Sequence, residues 1–222
     1  MRIFRFHPYD LIIVVLVLML IGRHMPGDTS SSDWKIANRH LVRGEFAQAT
    51  QGYDAVIAKQ PTFERAYFYR GVALFYLDRH SEAGAHFRRS LELGGDDYVL
   101  FWQYLASRRS GGGGEAELRA AIAERRLAAN AWPGVLGAVL LGDAQITDAV
   151  KLIRVAPPKQ QQGRLAEVFF YAGHRRLIDG DRRGALRLFQ KAVETQATNY
   201  LEVTAAASEL IRAAANPGEL KK

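Results

Sequence analysis

The sequence predicts an all-α fold built from repeated pairs of helices, and three observations indicate it. From about residue 33 onward, apolar side chains recur at helical spacing and no stretch alternates with period two, so strands are not expected. A pattern of small and aromatic residues returns at a period of 34 residues. An apolar fraction of 48% beside 24% charged residues is typical of a chain that folds around a core.

The N-terminus carries an apolar run, LIIVVLVLMLIG at 11–22, between Arg2 and Arg5 on one side and Arg23 on the other. A basic start, an apolar centre and a polar continuation form the layout of a secretory signal. No small-residue cleavage site follows, so we expect residues 1–24 to be an uncleaved signal anchor in the inner membrane. The flanking charges favour a body on the periplasmic or other extracytoplasmic side. Secretion after cleavage of the signal is the alternative.

Residues 25–32 are predicted to be a linker, and residues 33–216 a domain of helical repeats with a short tail at 217–222. The clear repeats cover residues 33–63, 64–97 and 166–199. Their second helices share a small, an aromatic and a small residue at fixed spacing. These triplets are Ala49/Tyr53/Val56, Ala83/Phe87/Ser90 and Ala185/Phe189/Ala192. Small residues allow two helices to approach closely, and the aromatic residue fills the gap between neighbouring repeats.

The middle of the chain, residues 98–165, has the length of two repeats but matches the pattern poorly. The run SGGGG at 110–114 predicts a mobile loop, because glycine loses much conformational entropy on ordering. The segment APPKQQQG at 156–163 is interpreted as a polar linker before the last repeat. A final helical pattern at 200–216 is expected to cap the open end of the array.

A helix–turn–helix of 34 residues with these triplets resembles the tetratricopeptide repeat family. The resemblance implies a right-handed superhelical solenoid of antiparallel helix pairs that binds other proteins. Residues 131–150 and 169–195 are also similar to periplasmic tetratricopeptide lipoproteins of the NlpI type. That similarity implies an envelope adaptor for hydrolases or proteases. The lipid-bearing cysteine of those proteins is missing here, since the chain has no cysteine.

In the tetratricopeptide family, the fifth position of each first helix faces a concave groove. The equivalent residues here are Trp34, Phe68, Trp102, Leu136 and Phe170. Core packing between the helices is the alternative for each of them, and it carries equal weight. Exposed aromatic residues anchor peptides and helices, so the row predicts a partner with an apolar or amphipathic segment. Further predicted groove residues are Asn38, Arg65, Tyr76, Arg109 and His174.

The sequence favours a binding protein over an enzyme. The chain contains no cysteine, its six histidines are scattered, and no nucleophile or phosphate-binding motif is present. We therefore expect no catalytic residues, cofactor or metal. A net charge of +7, with five Arg-Arg pairs, supports the alternative of a basic surface for anionic lipid or nucleic acid. Nucleic acid is disfavoured because we expect an exported body, and self-association is left open.

Overall fold

The computed structural model describes residues 32–215, and every regular element in this part of the chain is an α-helix. The absence of strands from this part confirms the all-α prediction. The expected anchor at 1–24, most of the linker and the tail at 217–222 lie outside the described residues. Within residues 32–215, no helix is both long and apolar enough to cross a membrane.

Eleven helices follow one another in the described part of the chain. They are α1 (Ser32–Val42), α2 (Phe46–Lys59), α3 (Glu64–Tyr76), α4 (His80–Glu92), α5 (Tyr98–Arg109), α6 (Glu115–Glu124), α7 (Gly134–Leu141), α8 (Ile146–Arg154), α9 (Pro158–Ile178), α10 (Arg182–Glu194) and α11 (Leu201–Ala215). Taken two at a time along the chain, the first ten give five helix pairs, and a loop of three to five residues connects the two helices of each pair. The second helices of these pairs begin 31 to 36 residues apart, so the poorly matching middle still keeps the period of the repeat.

Two compact units divide the described residues, one over 32–152 and the other over 153–215. Each unit has its own core. Tyr53, Phe87 and Trp102 are fully buried in the first, and Tyr171 and Phe189 are fully buried in the second.

The helices of a pair run in opposite directions, as α3 and α4 illustrate. Near the start of α3, the Tyr67 ring lies 5.9 Å from the His86 ring near the middle of α4. Near the end of α3, the Phe75 ring lies 5.1 Å from His80 at the start of α4. The predicted helix–turn–helix of residues 64–97 is therefore present in three dimensions.

A glycine covered by an aromatic ring sets the distance between the two helices of a pair. A Cβ atom added to Gly71 on α3 would lie 2.6 Å from Cε1 of Phe87 on α4, closer than side chains tolerate. In the second unit, a Cβ atom at Gly173 on α9 would lie 2.5 Å from Cε1 of Phe189 on α10. The same contact therefore forms in two pairs whose residues stand 102 positions apart.

The ring that flanks this contact is also repeated. The ring centroids of Phe68 and Phe87 are 5.9 Å apart at an interplanar angle of 47°. Those of Phe170 and Phe189 are 6.1 Å apart at the same 47°. Phe87 also reaches Trp102 of the next pair, at 6.2 Å. Phe87 thus packs against Phe68 of its own pair and also against Trp102 of the following pair.

The expected polar linker at 156–163 is wrong, because α9 begins at Pro158. Proline suits the first turn of a helix, since its missing N–H has no partner to lose there and its φ is already helical. Gly163 is buried inside α9, and the ring of Tyr200 fills the space that a side chain would occupy. The segment therefore extends the first helix of the last pair.

The glycine run at 110–114 has defined positions at the ends of two helices. Gly111 has a φ of 81° directly after α5, and the Gly112 amide donates to the carbonyl of Ser107 at 2.9 Å. Gly114 precedes α6 with a φ of 85°. These positive angles explain the choice of glycine. Mobility of the loop stays a prediction.

We predict that Gly71→Ala lowers the free energy of unfolding by about 1–3 kcal/mol, because the new methyl group overlaps the fully buried Phe87 ring. Urea unfolding of the full chain, followed by circular dichroism, measures the change. Gly84→Ala on α4 is the matched control, since nothing lies within 4 Å of its Cβ position. The control is expected to be neutral or to stabilise by up to about 1 kcal/mol. Equal midpoints for the two variants would show that Phe87 can move aside.

Candidate partner-binding site

The aromatic row predicted to line a groove lies largely in the core. Trp34 is 5% exposed, and Trp102, Leu136 and Phe170 are fully buried. Phe68 is the exception, because it is half-buried. Of the two alternatives for these positions, burial favours core packing for all except Phe68.

Trp102 shows why so much of the row is covered. Its ring is surrounded by four aromatic side chains from α3 and α4, which come before it in the chain. The centroid distances are 5.6 Å to Phe75, 6.2 Å to Phe87, 6.3 Å to Phe68 and 6.3 Å to Tyr76. Most of these contacts are edge-on, the arrangement that aromatic quadrupoles prefer. The tryptophan therefore holds three helices together and presents no surface to a partner.

Three more of the predicted groove residues are also buried. Asn38 is 7% exposed and its Oδ1 accepts a hydrogen bond from the Tyr53 hydroxyl at 2.6 Å. Burial raises the pKa of Tyr53 well above its usual value, so the hydroxyl keeps its proton and donates. Tyr76 is 8% exposed and stacks on Phe46 at 4.9 Å. These contacts give Asn38 and Tyr76 structural roles.

His174 is 2% exposed and lies edge-on to Phe170 at 4.6 Å. Its Nε2 atom is 3.9 Å from Oε1 of Glu209 on α11. Two further glutamates of this unit, Glu167 and Glu202, are 4% and 5% exposed, and the Tyr171 hydroxyl donates to Glu202 at 3.2 Å. The helices α9 and α11 thus bury a polar layer, and the buried His174 belongs to it.

The accessible remainder of the predicted site lies mainly on one side of α3. Arg65 is exposed, and Phe68 is half-buried. Tyr69, which the sequence pattern did not single out, is also half-buried and lies 5.0 Å from Phe68. Residues three and four positions apart share a helix face. We name the surface formed by Arg65, Phe68 and Tyr69 the α3 face.

Arg109 lies apart from the α3 face in sequence, at the end of α5. Its guanidinium carbon is 5.7 Å from the centre of the Phe75 ring, a cation–π distance. The side chain is half-buried. Arg109 can therefore offer part of its guanidinium to a partner while the ring holds it in place.

A polar cluster covers another side of α3. Arg70 contacts Asp54 on α2 at 2.7 Å and also the imidazole of His86 on α4. Burial, and after it the positive charge of Arg70, lower the pKa of His86 from 6.5 to about 4. The imidazole is consequently neutral at physiological pH.

The five Arg-Arg pairs share a pattern in how their members are held. One member of a pair is bound by the protein, as where Arg125 donates to Asp97 at 3.0 Å and Arg89 to Glu92 at 2.9 Å. The neighbouring Arg126 and Arg88 are exposed. Arg108 and Arg183 are the exposed members of two more pairs, and Arg176 is exposed but lies 3.6 Å from Asp181. Each pair thus contains at least one exposed arginine.

An open cavity of about 460 Å³ lies between α6 and α7, in the poorly matching middle of the chain. Its lining is mostly apolar and includes Ile122, Leu127 and Leu141. Arg119 and Arg126 contribute the positive charge of the lining. The sequence prediction missed this site. The loose repeat register of residues 131–150 is the signal that pointed to this region.

Compared with models of known protein families, the chain matches none. Among the described residues, no group of three or more His, Asp or Glu side chains is arranged to hold a metal ion. The α3 face, the exposed arginines and the cavity are therefore candidate binding sites on the basis of their geometry alone.

We predict that the free energy of unfolding decreases as the pH falls from 6.5 towards about 4, in part because of His86. In this window His86 is protonated in the unfolded chain but stays neutral in the folded one, so acid favours unfolding. His86→Gln should reduce that pH dependence, measured by urea unfolding at several pH values. At about pH 8 the imidazole is neutral in both states, which makes this the reference condition. An unchanged slope between pH 6.5 and 4 would contradict the assignment.

Proposed function

We propose that the protein is a binding scaffold of tetratricopeptide type that holds another protein. The observation that supports this most directly is the repeated contact of Gly71 with Phe87 and of Gly173 with Phe189. A helix pair that recurs with the same internal packing is the unit of repeat proteins, which use their surfaces for binding. The superhelical arrangement of the pairs is part of the proposal.

The α3 face is the proposed contact surface. It combines a half-buried aromatic pair, Phe68 and Tyr69, with the exposed guanidinium of Arg65. Tyrosine and arginine are enriched where interfaces derive most of their binding free energy. Phe68 already rests on Phe87 and Tyr69 on Tyr53, so neither loses much side-chain freedom on binding. An amphipathic segment with an acidic side fits this surface.

We place this scaffold in the cell envelope, held by its N-terminal segment. The apolar run at 11–22 and its flanking arginines support an inner-membrane anchor with the body outside the cytoplasm. A cleaved signal and a secreted body remain the alternative. In either case the partner is a protein of the same compartment, in keeping with a role in envelope assembly or maintenance.

A photo-crosslinking residue at Phe68 in the membrane-embedded full chain is expected to give one discrete adduct with the partner. The same residue at Gln48, on the exposed side of α2, is the matched control and should give none. Arg65→Glu should weaken the adduct at Phe68 and leave the circular dichroism spectrum unchanged, because Arg65 is exposed. Gels followed by mass spectrometry identify the adduct. Equal labelling from positions 68 and 48 would contradict the assignment of the α3 face as the interface.

A second candidate function is binding to anionic lipid, and one observation favours it. Arg183, Arg187 and Lys191 stand four residues apart along α10, and all three are exposed. Like charges at this spacing destabilise a helix, so a row of them needs an explanation outside the helix. Residues 153–215 contain ten Lys and Arg against six Asp and Glu, and three of those acids are buried. The surface of this unit is therefore strongly basic.

If this row binds lipid, reversing its three charges to Glu in a chain that begins at residue 25, without the expected anchor, should weaken binding to vesicles that contain phosphatidylglycerol. Each cation near an anionic membrane contributes about 1 kcal/mol, so the loss should be at least tenfold. Binding should also weaken steeply with salt. Vesicles of phosphatidylcholine alone are the control, and flotation measures the bound fraction. Salt-independent binding, or equal binding to both vesicles, would exclude this function.

A further inference from the structure

The cavity between α6 and α7 has the dimensions of a binding pocket. Its volume of about 460 Å³ lies within the range of roughly 300–1,000 Å³ that is typical of ligand sites. Ile122, Leu127 and Leu141 form apolar walls, and the small side chain of Ala138 leaves space between them. An aliphatic side chain fits such a site better than a polar one, because its burial removes apolar surface from water.

One wall of the cavity is a fixed ion pair. The Arg119 guanidinium donates to both carboxylate oxygens of Asp143, at 2.5 and 3.0 Å, and to Glu115 at 3.0 Å. Hydrogen bonds to these two carboxylates raise the pKa of Arg119 further above its usual value. Its charge is thus used within the protein, by a glutamate on α6 and an aspartate in the loop after α7.

Arg126 occupies a backbone position that normally belongs to glycine. It follows α6 with a φ of 54°, and the Leu127 amide donates to the carbonyl of Ile122 at 3.0 Å to close the helix. The equivalent position after α5 is Gly111, with a φ of 81°. A side chain in this left-handed conformation costs about 1–2 kcal/mol. Glycine holds the positive-φ position after other helices as well, at Gly44, Gly94, Gly142 and Gly180, whereas Asp78 and Gln196 hold it after α3 and α10.

The Arg126 side chain lines the cavity from this strained position. It is exposed, and among the described residues it makes no ion pair. Its neighbour Arg125, by contrast, is held by Asp97 and the Gly95 carbonyl. The strain and the outward guanidinium together favour a role beyond closing the helix.

We propose that this cavity binds a short segment of the partner protein in which an aliphatic residue stands next to an acidic one. The aliphatic side chain enters between Ile122, Leu127 and Leu141. Arg126 then takes the neighbouring carboxylate, for which its planar guanidinium provides two parallel donors. The proposal rests on the protein-binding function above and adds the chemistry of the bound segment.

The structural alternative is that Arg126 only stabilises the negative end of the α6 dipole. The two roles differ in what Arg126→Gly does. If the side chain serves the helix end, this variant lowers the melting temperature of the full chain. If the side chain serves a ligand, glycine relieves the strained backbone, so the melting temperature stays constant or rises while binding weakens.

The test is a titration of the full chain in detergent micelles, followed through the methyl NMR signals of Ile122, Leu127 and Ala138. The probes are acetyl-Leu-Asp-amide and the uncharged acetyl-Leu-Asn-amide. We expect all three methyl groups to shift with the acidic probe, and the uncharged probe to bind about fivefold more weakly. Arg126→Gly should remove the difference between the probes. Ala138→Leu should fill the cavity and abolish the binding of both.

Gln196→Gly is the matched control, because Gln196 also has a positive φ, 53°, after α10 but does not line the cavity. It should leave both titrations unchanged. Three results would overturn the proposal: equal binding of the two probes to the unaltered chain, a lower melting temperature for Arg126→Gly, or tighter binding of octanoate than of the acidic peptide. The last would show a site for a small amphiphile. The titration does not depend on crosslinking from Phe68, so the cavity and the α3 face can fail separately.

Discussion

The close approach of a first helix to its second helix, over a glycine, is the constraint on which the pairs α3/α4 and α9/α10 depend. At Gly71 and Gly173 the missing side chain is replaced by a phenylalanine ring from the facing helix. The ring then occupies the same place in both pairs, which brings Phe68 and Phe170 into equivalent tilted contacts with it. One small residue thus determines the spacing of two helices and the orientation of the aromatic side chains around it. Since protein interiors are close-packed, no neighbour of such a contact can change size independently.

Much of this architecture could be predicted from residue spacing, because the small and aromatic residues that define it are themselves the repeated ones. The exposure of the aromatic row could not be predicted from residue spacing. Spacing along α5 assigns Trp102 to a helix face, but the rings that cover it come from α3 and α4. The helix at 158–163 was missed for a different reason, since proline interrupts most helices and is accepted only in the first turn. The glycine at 163 likewise has meaning only beside Tyr200.

The irregular middle of the chain is where the packing leaves space for the proposed partner segment. Helices α6 and α7 are short, with ten and eight residues, and the cavity lies between them. A cavity cannot be predicted from a residue pattern, because it forms where neighbouring side chains do not fill the volume between them. The arginine at 126 could be noticed in the sequence only as one of a pair. Its left-handed backbone, and the glycine that stands in its place after α5, became visible in three dimensions.

The doubled arginines have a consequence for the behaviour of the protein in solution. Neighbouring residues on a helix point about 100° apart, so two adjacent arginines on a helix leave it on different sides. Each doubling therefore adds a charge that faces water even where its twin is bound. Large apolar side chains are also exposed on the first and last described helices, at Ile36 and Ile211. Mutual repulsion between outward guanidinium groups opposes contact between separate molecules at these side chains, and dissolved salt that screens the repulsion weakens this opposition.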